Sequence, residues 1–167
     1  IKKTDRGLEI GCGHGLGCMF IGQFSKNVTG IDVKRSFIEE AIKLNRRDNV
    51  EYAVEDFFEF STKKKFDVIV AIDVIEHLEI NDGQRMIKKI AECLKSDGMI
   101  IIGCPSIYSF PHQGPLSQAS HIHCYDKDEL CSSVEKYFSR AVGFSMNDEM
   151  VHTGHAKMSW YNFALGF

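Results

Sequence analysis

The sequence predicts an α/β fold: a doubly wound, mostly parallel sheet of seven strands with one antiparallel strand near an edge. Three observations carry that expectation. Short apolar, strand-like runs alternate with helix-periodic segments over residues 6–103. One run, Phe66-Asp67-Val68-Ile69-Val70-Ala71-Ile72, is almost continuously apolar, as a central parallel strand covered on both faces must be. The first run leads straight into a loop with glycines at positions 11, 13, 15 and 17 that opens a helix.

The elements follow in order. Residues 6–11 read as strand one and residues 15–25 as an apolar helix. Residues 27–32 form a short strand ending in Asp32. Ser36 and Glu39 make a capping-box pattern, and Phe37, Ile38, Ala41 and Ile42 then repeat with helical spacing. Residues 49–54 are strand three, followed by Glu55, Asp56 and Phe57. Residues 66–72 are strand four, and residues 73–78 a loop or short turn. Met86, Ile87, Ile90, Ala91 and Leu94 mark a helix that stops at Ser96-Asp97-Gly98, before strand five at residues 99–103. Residues 104–121 hold all three prolines and read as a long loop. Asp126 and Glu129 start another helix. Residues 137–146 and 156–166 are two late strands in a hairpin, the second carrying Trp160, Tyr161 and Phe163, with Phe167 just beyond it.

All 167 residues, 1–167, read as a single domain. Ile1 stands almost directly before a strand, so an N-terminal lid segment is expected to be missing. The balance of 20 basic and 23 acidic residues gives a net charge of −3 and no general drive toward nucleic acid or anionic membrane. Lys63-Lys64-Lys65 is the one dense basic run, and it lies before strand four. No apolar run reaches the roughly 18 residues of a membrane helix, so no membrane span is expected. The six cysteines form no C-x-x-C pair and several sit inside apolar runs, the usage of a reduced, cytoplasmic protein. With the seven histidines they make no structural zinc pattern.

A strand, glycine loop and helix opening such a sheet read as a nucleotide site. The spacing narrows the ligand. Gly11, Gly13 and Gly15 give G-x-G-x-G, and Leu16 occupies the third position of the dinucleotide fingerprint G-x-G-x-x-G. Glu9 would set negative charge near any phosphate, and suits a ligand with a cationic head instead. Both points weigh against an NAD(P)-dependent oxidoreductase, which stays open as an alternative together with a catalytically silent binding domain. Asp32, 21 residues after Gly11, can accept hydrogen bonds from both hydroxyls of a ribose. Asp56 is placed to reach the exocyclic amine of an adenine, and Phe57 to pack on its ring.

The strings LEIGCGHG, GIDV, VEDFFEF and FDVIVAIDVIEHL, in this order, resemble the motifs of class I S-adenosylmethionine-dependent methyltransferases. LKSDGMIIIGCP resembles their strand-five segment, and the resemblance runs from about residue 6 to residue 130. It implies a Rossmann-like sheet, S-adenosylmethionine as methyl donor and S-adenosylhomocysteine as product. Glu9 would then anchor the methionine part of the cofactor, with the backbone of Gly11, Cys12 and Gly13 lying against it. Asp32 would bind the ribose, Val33 would lie beside the adenine, and Asp56 and Phe57 would address the adenine. Ile72 and Asp73 would line the methyl-donor end.

Methyl transfer from a sulfonium is an in-line displacement that needs acceptor, methyl and sulfur held in line. For an oxygen or nitrogen acceptor a base takes the proton. His77, in IEHL, is the first candidate, and His121 and His123 follow. The expected catalytic set is His77, His121 and Asp73, while His152 and His155 receive no role. Asp73, Glu76, His77 and His121 are also hard-oxygen and imidazole groups that could gather around a divalent cation. Small-RNA 2′-O-methyltransferases and ubiquinone-type O-methyltransferases show a similar acid-acid-His grouping with such a metal. This chain has Asp73 where the RNA enzymes carry Glu, and IEHL occurs in metal-free relatives, so no metal is assigned. The expected acceptor is a small molecule: a metabolite, lipid precursor or sugar intermediate. The alternatives are an RNA 2′-O-methyltransferase or a protein methyltransferase, either of them metal-assisted or not.

Overall fold

Apolar β-branched runs become strands where both faces can be covered, and here they do so in two compact units. The computed structural model describes residues 1–147 and 151–167. The first unit comprises residues 1–71 and 92–99, the second residues 72–91 and 100–167.

In the first unit the chain runs through β1 (Arg6–Ile10), α1 (Leu16–Ile21), β2 (Asn27–Asp32), α2 (Arg35–Leu44), β3 (Val50–Val54) and β4 (Phe66–Ile72). Its strands lie in the order β3-β2-β1-β4, all parallel, with Leu8 opposite both Thr29 and Ile69. Leu8, Ile31 and Ile69 are fully buried and form the centre of this core. Two local expectations change. The first helix ends at Ile21 rather than residue 25, because Gly22 caps it and Ser25 Oγ bonds back to the Ile21 carbonyl. The Ser36–Glu39 capping box does not form. Asp32 Oδ1 accepts from the Lys34 amide at 2.8 Å, so α2 starts one residue before Ser36 and takes Lys34 as its cap residue.

The second unit holds α3 (Ile80–Cys93) through Ala91, the later half of β5 (Leu94–Pro105), α4 (Pro115–Ser120), α5 (Lys127–Glu135), β6 (Ala141–Met146), β7 (Val151–His152) and β8 (Tyr161–Gly166). β8 runs antiparallel between β5 and β6, with Ile102 opposite Ala164 and Val142 opposite Leu165. This is the expected antiparallel strand. The two-residue β7 pairs with the end of β6 and makes eight strands among the described residues instead of seven. Strand five starts at Leu94, not residue 99. Leu94 is buried and Lys95 reaches Asp67 at 2.6 Å, which holds Ser96-Asp97-Gly98 extended instead of as a helix stop. The proline-bearing loop contains a 3-10 turn, Phe110–His112, and the short helix α4. Asp126 does cap α5, accepting from the Glu129 amide at 2.8 Å. None of the six cysteines is in a disulfide. Among the described residues no helix is long and apolar enough to cross a membrane.

Ile69→Ala should lower unfolding stability by about 2–5 kcal/mol, because the fully buried side chain leaves a cavity at the centre of the first core. Leu16→Ala, at an exposed position, should change it by no more than about 0.5 kcal/mol. Urea denaturation of both variants checks the contrast.

Candidate active site

The loop after β1 places Gly11, Gly13 and Gly15 at φ of 68°, 50° and 81°, a region that side-chain-bearing residues avoid. Its shape is fixed from behind. The Tyr52 hydroxyl donates to the Gly15 carbonyl at 3.0 Å and occupies the space a Cβ on Gly15 would need. Asp32 Oδ2 accepts from the Gly13 amide at 3.0 Å, which ties the loop to the end of β2. In front, a Cβ on Gly13 would meet nothing within 4 Å, so the backbone there faces open space.

Glu9 stands on β1 behind this loop, 7% exposed. The thiol and amide of Cys18 hydrogen-bond its carboxylate, while Oε2 has no partner in the protein. Burial pushes the Glu9 carboxyl up from its ordinary value, and the Cys18 bonds pull it back. The Cys18 thiol is pushed far up by its hydrogen bond with Cys12, by burial and by Glu9, so it stays neutral. An orphaned carboxylate oxygen in a buried site is costly, and a ligand's cationic group would satisfy it. Farther along, Val33 is exposed. Asp56 is exposed, with Oδ1 accepting from the Phe58 amide at 2.8 Å, whereas the Phe57 ring is buried and lies 6.3 Å from Phe60.

In the second unit, Ile72 ends β4 and Asp73 follows with φ 55°, a left-handed conformation rare for a non-glycine residue. The Asp73 amide donates to the Gly103 carbonyl at 3.0 Å, and the Tyr161 hydroxyl donates to Asp73 Oδ1 at 2.8 Å. The chain then makes a 3-10 turn, Ile75–His77. Glu76 in that turn is fully buried. Its main-chain carbonyl accepts from the amides of Ile122 at 2.7 Å and His123 at 3.1 Å, which brings the segment after α4 against the turn. Among the described residues no other side chain hydrogen-bonds either of its carboxylate oxygens, and His77 Nε2 stands 3.8 Å from Oε1. Burial pushes the Glu76 carboxyl up to about 8, its own main-chain amide pulls against the rise, and nearby Asp73 adds to it.

The His77 and His121 rings meet edge-on, centroids 5.1 Å apart. His77 Nδ1 bonds the Ser120 carbonyl at 2.9 Å, and His121 Nδ1 bonds Gln113 Oε1 at 2.8 Å. Both acceptors require Nδ1–H, so in the neutral ring Nε2 is the nitrogen that carries the lone pair. One donor atom each from Glu76, His77 and His121 lies within 4.8 Å of the others. A buried carboxylate with two orphaned oxygens beside two imidazoles is a donor set that fits a divalent cation. The third candidate histidine, His123, is engaged elsewhere. Its Nε2 pairs with Glu129 Oε1 at 2.7 Å at the start of α5.

The structure brings the His77 and His121 rings together, while Asp73 is held by Tyr161. Sequence reasoning considered Glu76 only as one of four metal donors. Its signal is an acid inside the otherwise apolar string Val74-Ile75-Glu76 that follows a buried strand. Gln113 carried no signal at all.

The family model "Methyltransferase domain" matches residues 8–102, more than half of the chain. The chain belongs to this family of S-adenosylmethionine-dependent methyltransferases. It is 36% identical over 97 residues to the ubiquinone biosynthesis O-methyltransferase of Rickettsia akari, covering 57% of this chain and 38% of that protein. It is 32% identical over 107 residues to (S)-coclaurine N-methyltransferase of Papaver somniferum, covering 61% and 30%. The chain thus spans well under half the length of these relatives. The N-methyltransferase NodS of Bradyrhizobium japonicum WM9, solved with S-adenosylhomocysteine, superposes with a TM-score of 0.73 over 97% of this chain and 76% of its own, at 20% identity. That likeness establishes the Rossmann-like methyltransferase fold.

The Glu76 carboxyl makes stability depend on pH. The folded carboxyl keeps its proton up to about pH 8, whereas the unfolded one loses it near 4.5. Between those values the unfolded chain binds fewer protons, so the contribution is full below about pH 4.5 and is lost as pH rises toward about 8. In metal-free buffer, Glu76→Gln should remove this decline. Urea denaturation at several pH values compares the two slopes.

Proposed function

We propose that this chain transfers the methyl group of S-adenosylmethionine to an oxygen of a small-molecule acceptor, at a site where Glu76, His77 and His121 hold a divalent cation. The observation that carries the reading is the buried Glu76 carboxyl, with no side-chain hydrogen-bond partner among the described residues, beside two imidazoles whose Nδ1 atoms are both hydrogen-bonded to oxygens. Bound there, a divalent cation supplies Lewis acidity that lowers the pKa of an acceptor hydroxyl.

The chain's own groups have distinct roles. Glu9 Oε2 takes the ammonium of the methionine part, and the open backbone at Gly11, Cys12 and Gly13 lies along it. Asp32 accepts from the ribose while its two existing bonds keep the loop in shape. Val33 and Asp56 stay exposed for the adenine, with buried Phe57 backing that position. Asp73, held by Tyr161, and Ile72 border the methyl-donor end. In the transfer the sulfur–methyl bond breaks, the oxygen–methyl bond forms, and the acceptor's proton leaves to solvent, both Nε2 lone pairs being committed to the cation. The net charge of −3 supports a small acceptor over RNA, and six cysteines without a disulfide support a reducing compartment such as the cytoplasm.

Calorimetric titration tests the reading. The chain should bind S-adenosylhomocysteine and not NAD⁺, and Asp32→Ala should weaken that binding about tenfold or more. NAD⁺ binding in place of S-adenosylhomocysteine would overturn the assignment. Separately, Glu76→Ala should abolish Mn²⁺ binding while S-adenosylhomocysteine affinity stays within about twofold, since Glu9 and Asp32 are untouched.

A further inference from the structure

His121 enters the site from the proline-bearing loop, and the loop decides which of its nitrogens carries the proton. Ser109, 4% exposed, donates its hydroxyl proton to the Ser106 carbonyl at 2.7 Å. With that proton committed, Ser109 Oγ can only accept, and it does so from Gln113 Nε2 at 3.1 Å. This fixes the direction of the Gln113 amide and turns Oε1 toward His121 Nδ1, 2.8 Å away. A flipped amide would set Oε1 against an oxygen with no proton to give. The backbone beneath is braced as well: Gln118 Nε2 donates to the carbonyls of both Phe110 and Gln113 at 3.1 Å.

We propose that Gln113 is a positioning residue, which holds His121 as the Nδ1–H tautomer through the Ser109–Gln113 hydrogen-bond chain and so leaves Nε2 as the nitrogen offered to the Glu76–His77 group. The ligand role of that nitrogen rests on the cation reading above, whereas the tautomer itself does not. His77 is set in the same state by a main-chain carbonyl, which no substitution can remove. Gln113 is therefore the point at which a side-chain change alters the donor set without touching a donor. A ligating histidine whose other nitrogen loses its partner binds metal about 10- to 100-fold more weakly.

The test uses three chains: the unaltered one, Gln113→Leu and Gln113→Glu. Nitrogen-15 spectra of histidine-labelled, metal-free protein at about pH 8 read the protonated ring nitrogen of His121 directly. The unaltered chain should show Nδ1–H, and Gln113→Leu should shift His121 toward Nε2–H, the tautomer that neutral imidazole side chains favour in water. Mn²⁺ affinity by calorimetry should fall about 10- to 100-fold in Gln113→Leu and return in Gln113→Glu, whose carboxylate again accepts from Nδ1. S-adenosylhomocysteine affinity should not move, which shows the chain is folded. Nε2–H in the unaltered chain, or a Gln113→Leu chain with unchanged tautomer and Mn²⁺ affinity, overturns the proposal. Absence of Mn²⁺ binding in the unaltered chain defeats the cation reading alone, and the spectra still decide what Gln113 does.

Discussion

The second unit is organised around one buried acid. Glu76 sits in a one-turn 3-10 segment after β4, and its main-chain carbonyl gathers two amides from the segment that follows α4. Those two bonds bring His121 to His77, from stretches of chain over forty residues apart. Removing a carboxylate from water costs several kcal/mol unless something compensates. Here the residue's own main-chain amide compensates only in part, and the carboxyl responds by holding its proton to about pH 8. Such a residue contributes little to stability and a great deal to what the site can accept.

The first unit meets a similar demand with backbone geometry. Three positive-φ glycines let the chain turn sharply at the end of β1, and Tyr52 and Asp32 prevent that freedom from becoming disorder. Glu9 is left with one buried oxygen unpartnered among the described residues, while Cys18 hydrogen-bonds the carboxylate. The two units thus each present an acid that is incomplete without a guest, one set by a strand and one by a turn.

What could be read from the sequence was whatever short-range chemistry decides. The β1–loop–α1 opening, the buried run of β4 and the Asp126 cap on Glu129 all depend on neighbours within a few residues, and all appear. Ser36 and Glu39 carried an equally good local signal, but Asp32 from the preceding strand engaged the Lys34 amide and moved the helix start. The boundary at Leu94 was lost for a comparable reason: its extended backbone is held by a partner 28 residues earlier, Asp67, through Lys95. In the site, His77 and His121 were legible as residue types near strand ends. The role of Gln113 was not, since it exists only once Ser109 and His121 are folded against it.

The placement of β8 bears on how the protein comes into being. Residues 161–166 are synthesised after β5 and β6, yet they lie between them. Until that strand arrives, both neighbours present unpaired edges, and β5 carries the apolar run Ile100-Ile101-Ile102. The second unit must therefore wait for Tyr161–Gly166, in a form that invites association with other nascent copies. The parallel pairs among β1 to β4 involve no residue beyond Ile72 and carry no such dependence, so newly made chains should pass through a stage in which the glycine loop is already shaped while the histidines are still apart.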